Sequence, residues 1–370
     1  MGVAVPGGGP GRRFSLKSAW RARIAGEPPP PAQRDPMRPP PPLLLFASIV
    51  AGAGAASAAC RLDRVSAMPL TSLGAHYAVT AEIDGVARPI EVDTGAATTL
   101  LKASVAKELG LKEDPQQAHQ TVGFGQTAGD IHPNVIPSTL AFGALVLRDR
   151  STVVATMDDG RAPETESIGL LGDDILSQYD VEFDFPGGML TFYREDGCFA
   201  TFLPWTGVYS AIPFDHHGDK VTIDILLDSE RTRTMIDTGN NLSFVSLGAS
   251  ALWGAPAAKL KPTRVEAKSP LNNGAPMPVS AFPFAEVKIG DDVFRDKTMN
   301  VIDADLPLSS ANLGLDYWSS RKLWISYLHG QLFVADDPAA AKLAYPIDAA
   351  PAAAQAAPAK TPGAKVAGAD

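Results

Sequence analysis

Two stretches of the 370-residue chain carry the same interruption of an apolar run. "PIEVDTGAATTLL" holds Asp93-Thr94-Gly95, and "TMIDTGNNLSFV" holds Asp237-Thr238-Gly239, 144 residues later. Asp is rarely buried without a partner, and Gly inside a strand marks a bend or a close backbone approach. One such triplet reads as a surface turn. Two in matched apolar settings read as two halves of a single site. Two carboxylates held close together in a partly desolvated place cannot both ionise, so one pKa rises and the pair shares a proton. The charged member then takes a proton from a water while the neutral member donates to a carbonyl oxygen, which is amide hydrolysis without a covalent intermediate. Such a pair titrates as a unit, and acid and base roles are not divided between Asp93 and Asp237 by sequence.

The neighbouring residues suit that task. Gly95 and Gly239 let backbone approach a carboxylate with no side chain in the way. Thr94 and Thr238 bring hydroxyls able to lock two facing loops and fix the separation of the acids. Position four differs between the copies, with Ala96 in the first and Asn240, followed by Asn241, in the second. The Asn240 amide is expected either to donate to the outer oxygen of Asp237 or to distort the loop by its bulk.

These loops must be positioned by strands. Each Asp follows an alternating run, "YAVTAEIDGVARPIEV" or "VTIDILLDSERTRTMI", with a turn signal nine residues earlier at Asp84-Gly85 or Asp228-Ser229. That pattern predicts a hairpin whose second strand delivers the Asp. Downstream, Gly110 closes the helix-like "SVAKELG", with Ser104 as its expected N-cap, and Gly254 closes "SLGASALWG"; each glycine lies 17 residues after its aspartate. "FGALVLRDR" matches "IGDDVFRDK", and "LLGDDILSQYDVEFDFPGGMLTFY" matches "NLGLDYWSSRKLWISYLHGQLFVA", aligning Gly172 with Gly314 and Asp174 with Asp316. Four blocks in one order indicate an internal repeat. Its units span about residues 73–200 and 206–336, joined through "FLPWTG". Period-two patterning dominates, so the expected class is all-β.

The duplicated apolar-Asp-Thr-Gly motif with its late glycine blocks, "LLGDD" at 170–174 and "NLGLD" at 312–316, resembles the retropepsin-like and pepsin-like aspartic peptidases. Within that family it resembles in particular bacterial exported proteins with retropepsin-like lobes. The resemblance implies two tandem β-barrel lobes forming a bilobal pseudo-dimer with a central cleft. It makes Asp93 and Asp237 the catalytic pair and Thr94, Gly95, Ala96, Thr238, Gly239 and Asn240 the supporting active-site loops. The implied function is aspartic endopeptidase, with a polypeptide substrate, no cofactor and no metal. The family also covers the cleft with hairpin flaps, for which "TVGFGQTAGDIHP", with Gly125 and Gly129, and "SPLNNGAPMP", with Asn273-Gly274, are candidates. Asn240, and Asn312 where an apolar residue is expected, depart from the pattern in the second copy. They motivate the alternative of a weak or inactive peptidase-fold protein that binds peptide or cell-envelope ligands.

Other features constrain this reading. Hydrophobic residues make up 45% of the chain and charged residues 20%, enough for a sizeable core, and the net charge of −9 argues against nucleic-acid partners. From Met37 a basic start, an apolar stretch from Leu43 to about Ala55 and small residues Ala56-Ser57-Ala58 read as a signal peptide within an N-terminal extension over 1–58. Export to the periplasm or outside is expected. Cys60 has two alternatives, a disulfide with Cys198 or a lipid anchor, and membrane association is expected only in the second case. Residues 337–370, rich in Ala and Pro, are expected to be a disordered tail. His216-His217 reads as a solvated linker pair rather than a metal site, and Asp158-Asp159 and Asp173-Asp174 as turn or surface charges, with Asp174 the more structural. The five Trp read as core or lobe-interface packing. A monomer with its two lobes paired is expected, the rival arrangement being a homodimer in which each lobe pairs with its like.

Overall fold

A computed structural model of the chain describes residues 60–349, apart from 124–125, 127–128, 158–165, 199–201, 255–258, 272, 305, 307, 340 and 346. All of these lie in the unit Ala56–Asp370. The expected extension and signal peptide over 1–58, the pair Asp158-Asp159, Gly125 and residues 350–370 fall outside the described residues.

The described chain is all-β with four short α-helices. Strand His76–Ile83 alternates buried and exposed side chains over its second half, then turns through Asp84 and Gly85 at φ +49° and +84° into Val86–Val92. Positive φ at two successive residues is the type I′ geometry that matches strand twist, which is why Asp-Gly marks this hairpin. The second half repeats it, with Lys220–Leu227 turning at Asp228 and Ser229 into Glu230–Ile236. Each second strand ends in three buried residues immediately before its Asp, Ile90-Glu91-Val92 and Thr234-Met235-Ile236.

The same pairing order occurs in both halves. Gly169–Leu171 lies parallel to Val86–Val92 and antiparallel to Leu100–Lys102, which pairs in parallel with Val153–Ala155. Ala311–Leu313 lies parallel to Glu230–Ile236 and antiparallel to Phe244–Ser246, which pairs in parallel with Asp292–Ile302. The late glycine blocks are thus central strands that back the two Asp loops. Helices Ala103–Glu108 and Leu247–Ser250, the latter extended by a 3-10 turn at Ala251–Trp253, follow as expected. Gly110 and Gly254 end these segments at φ +60° and +65°, where a side chain would be strained. The N-cap of the first helix is Lys102 and not Ser104, because strand geometry persists to Lys102 and Ala103 already lies in the helix.

The second-half strands belong to a 14-stranded sheet that joins the halves. Beyond Lys220–Leu227 it runs on through Ser210–His217, Gln331–Ala335, Lys322–Ser326, Asp180–Asp184, Met189–Asp196, Arg61–Pro69 and Ile347–Ala349. Val181↔Ile325 and Phe183↔Leu323 are Cα partners across the seam. Trp324 sits fully buried there, stacked on Tyr193, with its indole Nε1–H donating to Asp180 Oδ2 at 2.9 Å. Fully burying one large apolar side chain is worth roughly 1.5–3 kcal/mol, and Phe183, Phe192, Leu190, Leu323, Ile325 and Leu332 all do so around this seam.

One expectation changes here. The tail is folded at its start: Lys342–Leu343 pairs with Trp205–Thr206, and Ile347–Ala349 lies parallel to Arg61–Pro69. A free strand edge with unpaired amides accepts even a short, low-complexity partner, so the Ala/Pro composition did not decide the matter. Cys60 is joined to Cys198 by a disulfide, closing a span of 138 residues at the start of Arg61–Pro69.

Candidate active site

The two Asp-Thr-Gly loops face each other with near two-fold symmetry. Asp93 N–H donates to Leu171 O and Asp237 N–H to Leu313 O, both at 3.0 Å, so each late strand holds its Asp. Gly95 N–H donates to Asp93 Oδ1 at 2.8 Å and Gly239 N–H to Asp237 Oδ1 at 3.0 Å. Thr94 and Thr238 cross between halves. The hydroxyl of Thr94 donates to Ile236 O at 2.9 Å and accepts from Thr238 N–H at 3.0 Å, while that of Thr238 donates to Val92 O at 2.8 Å and accepts from Thr94 N–H at 3.1 Å. All four bonds are buried, where polar groups must be paired.

Each glycine packs on the opposite acid. A Cβ at Gly95 would lie 2.5 Å from Asp237 Cγ, and one at Gly239 would overlap the carboxyl of Asp93. A side chain at either position would have to displace the opposite carboxyl, so the absent Cβ lets the two acids, one from each half, face each other across the paired loops. Asp93 keeps part of its surface open yet is deeply set among protein atoms. Burial pushes its pKa well above the usual carboxylate range, and the charge of Asp237 and the hydrogen bond to it push the same way. The Lys220 ammonium and the Gly95 N–H oppose the shift. A carboxyl so placed retains a proton where an isolated Asp has lost it.

The late blocks are braces. Asp174 Oδ1 accepts from Thr99 N–H at 2.6 Å and from its hydroxyl at 2.7 Å, and Thr99 Oγ1 accepts from Gly172 N–H at 3.0 Å. Asp316, Ser243 and Gly314 repeat the set at 2.8, 2.5 and 2.9 Å. The matched Asp174 and Asp316 are therefore structural, as the repeat indicated.

Asn240 does not take either expected role. Its Oδ1 accepts from Leu242 N–H at 3.1 Å, turning the amide away from Asp237 in a local Asx turn. The loop keeps its shape, with Asn240 N–H on Asp237 O as Ala96 N–H is on Asp93 O. The donor to Asp237 Oδ2 is instead Asn312 Nδ2 at 2.6 Å. Asn312 is 1% exposed, in the strand beside Asp237, and replaces Leu170 of the first half. Its departure from an apolar pattern was the signal that marked it.

His216 and His217 are exposed, as expected, but they end the strand Ser210–His217 rather than a linker, and His216 has partners: its Nε2 lies 2.8 Å from Asp173 Oδ2 and its ring meets Tyr327 edge-on. Asp173 is 1% exposed rather than a surface charge, and burial raises its pKa despite His216. No group of three or more candidate metal ligands occurs among the described residues. The flap candidates occupy hairpin tips, between Glu113–Gln120 and Ile131–Val135 in the first half and between Lys261–Ala267 and Met277–Ile289 in the second. The tips touch: Gln126 Nε2 donates to Leu271 O at 2.5 Å, and Leu271 packs with the apolar cluster that includes Ala96.

Residues 79–178, which contain Asp93 and the first late block, match the family model described as "gag-polyprotein putative aspartyl protease". The resemblance to retropepsin-like and pepsin-like aspartic peptidases is borne out by that match. Among solved structures, an aspartic proteinase from Irpex lacteus is similar over 76% of this chain and 98% of that one, at 15% identity and a TM-score of 0.41. A retropepsin-like aspartic protease from Rickettsia conorii is similar over 36% of this chain and 95% of that one, at 18% identity and a TM-score of 0.26. No curated protein matches the chain.

Proposed function

We propose that the protein is an aspartic endopeptidase that hydrolyses peptide bonds with one water activated between Asp93 and Asp237. The observation that carries this reading is the crossing of the two loops, in which each Asp-Thr-Gly glycine lies against the other loop's carboxyl. That contact brings two acids from opposite halves together, and the raised pKa of Asp93, caused by burial and by Asp237, supports a shared proton. The ionised oxygen accepts a proton from water, the protonated one donates to the scissile carbonyl, and the pair regains its starting state when the amine leaves. The contact between the two hairpin tips through Gln126 and Leu271 supports a cover over an extended polypeptide.

Both loops lie in one chain, which supports an intramolecular site and a monomer, since linked halves have a high effective concentration for each other. The signal-like stretch before Cys60 and the disulfide to Cys198 support export to the periplasm or outside. A sulfur engaged in a disulfide is not free to carry a lipid, so the disulfide speaks against membrane anchoring. The alternative of a ligand-binding protein without turnover rested on Asn240 and Asn312. Undistorted loop geometry at the first and a donor to Asp237 from the second weaken it.

The test is digestion of a peptide library between about pH 3 and pH 7 by the mature protein and by Asp93→Asn and Asp237→Asn. Specific cuts lost in both variants support the reading. Cuts retained in full by either variant overturn it.

A further inference from the structure

We propose that Lys220 is a positioning residue for the Asp pair: it reaches from the second half to clamp the Asp93 loop through the Gly95 carbonyl and keeps a positive charge beside Asp93. The inference rests on the reading of Asp93 and Asp237 as an acid–base pair.

Lys220 opens the strand Lys220–Leu227, directly after a tight tip in which Gly218 and Asp219 hold φ +57° and +60°. That turn carries the chain across to the first half. The Lys220 Nζ donates to Gly95 O, the carbonyl of the residue whose own N–H donates to Asp93 Oδ1. The same tip makes a second attachment. His216 Nε2 meets Asp173 Oδ2, and Asp173 N–H donates to Ala96 O at 2.9 Å. Two successive carbonyls of the Asp93 loop are thus held, one directly and one through Asp173, by a hairpin belonging to the other half.

Among the described residues the first half shows no counterpart. Its matching position is His76, at the start of His76–Ile83, and His76 Nδ1 lies 3.8 Å from Glu91 Oε2, within its own half. The cation therefore breaks the two-fold symmetry of the site on the side of Asp93. Two carboxyls packed together in a partly buried place hold their protons tightly, and a nearby ammonium counters that by favouring the charged form. Lys220 acts on Asp93 in this sense, against burial and against Asp237. The other groups around the contact are Asp219, His216 and His217 on the same hairpin, and Asp173 and Tyr327 facing it.

The experiment compares pH profiles of kcat and kcat/KM for the wild type, Lys220→Met and Lys220→Arg, together with NMR titration of the Asp93 carboxyl in each. Lys220→Met is expected to move both limbs of the profile and the Asp93 titration upward by about one pH unit, the low end of what one opposite charge produces. Its kcat is expected to fall more than KM changes, because the clamp orders the loop rather than the substrate. Lys220→Arg, which keeps the charge, is expected to restore the wild-type profile. A Lys220→Met profile and titration that superimpose on the wild type overturn the inference, as does an Arg variant displaced as far as the Met variant. Retained cleavage in Asp93→Asn overturns the peptidase reading itself, and the NMR titration still judges Lys220 in that event.

Discussion

Thr94 and Thr238 each accept the other's backbone N–H through a hydroxyl, at 3.0 and 3.1 Å, and each hydroxyl donates to a carbonyl of the opposite half. Removing one hydroxyl orphans a buried N–H and a buried C=O at once. Thr94→Ala or Thr238→Ala is expected to lose roughly 2–4 kcal/mol of stability, about 1–3 kcal/mol for each group left without a partner, read by urea unfolding. Thr94→Ser keeps the hydroxyl and is expected to stay within about 1 kcal/mol of the wild type.

Loss of either acid removes the proton exchange between them. Asp93→Asn and Asp237→Asn are each expected to lower kcat by about 10²- to 10⁴-fold while leaving the circular dichroism spectrum unchanged, measured with a peptide cut by the wild type.

Asn312, not Asn240, supplies the amide at Asp237. Asn312→Leu, which installs the residue found at the equivalent first-half position, is expected to cost about tenfold or more in kcat, the worth of roughly 1.4 kcal/mol from one charge-assisted bond. Asn240→Ala removes only a local turn contact and is expected to alter kcat by less than about twofold, with a stability loss of about 1 kcal/mol or less. Steady-state kinetics on the two variants separates the roles.

The contrast shows what a single sequence makes legible. Asp93-Thr94-Gly95 and Asp237-Thr238-Gly239 could be read because the site needs an acid, a hydroxyl and an absent Cβ at consecutive positions, twice. Asn312 works from 75 residues away along the chain and looked like drift in an apolar block, since a lone amide reveals its purpose only when strand pairing sets it beside Asp237. Lys220 carried no pattern, being one lysine after a turn. The sheet between the halves was hidden because Arg61–Pro69 and Ile347–Ala349 come from outside both repeat units, and edge pairing is fixed by three-dimensional proximity. Asp173 and Asp174 read alike as an acidic pair, but one is buried against His216 and the other braces Thr99.

Asp180 gives a pH dependence of folding. Burial, followed by its hydrogen bond to Glu195 and that group's charge, raises its pKa from 3.8 to about 8. Between those values the unfolded chain has released the proton and the folded chain keeps it, so stability falls as pH rises. The melting temperature is therefore expected to decline from about pH 4 to about pH 8. Asp180→Asn, whose amide mimics the protonated acid, is expected to flatten that decline in calorimetry across the range.

Reduction of Cys60–Cys198 frees a span of 138 residues. Cys198→Ser is expected to destabilise the chain by about 2–5 kcal/mol, read as a lower urea midpoint, and reductant is expected to do the same to the wild type but not to the variant.

The ladder from Val181↔Ile325 to Asp184↔Lys322 runs without interruption from one half into the other. Prising the halves apart like jaws would break that ladder and expose the aromatic floor around Trp324. On the proposed peptidase reading, a long substrate would gain entry by the parting of the Gln126–Leu271 contact, as a thread passed under a drawbridge, rather than by the halves swinging apart.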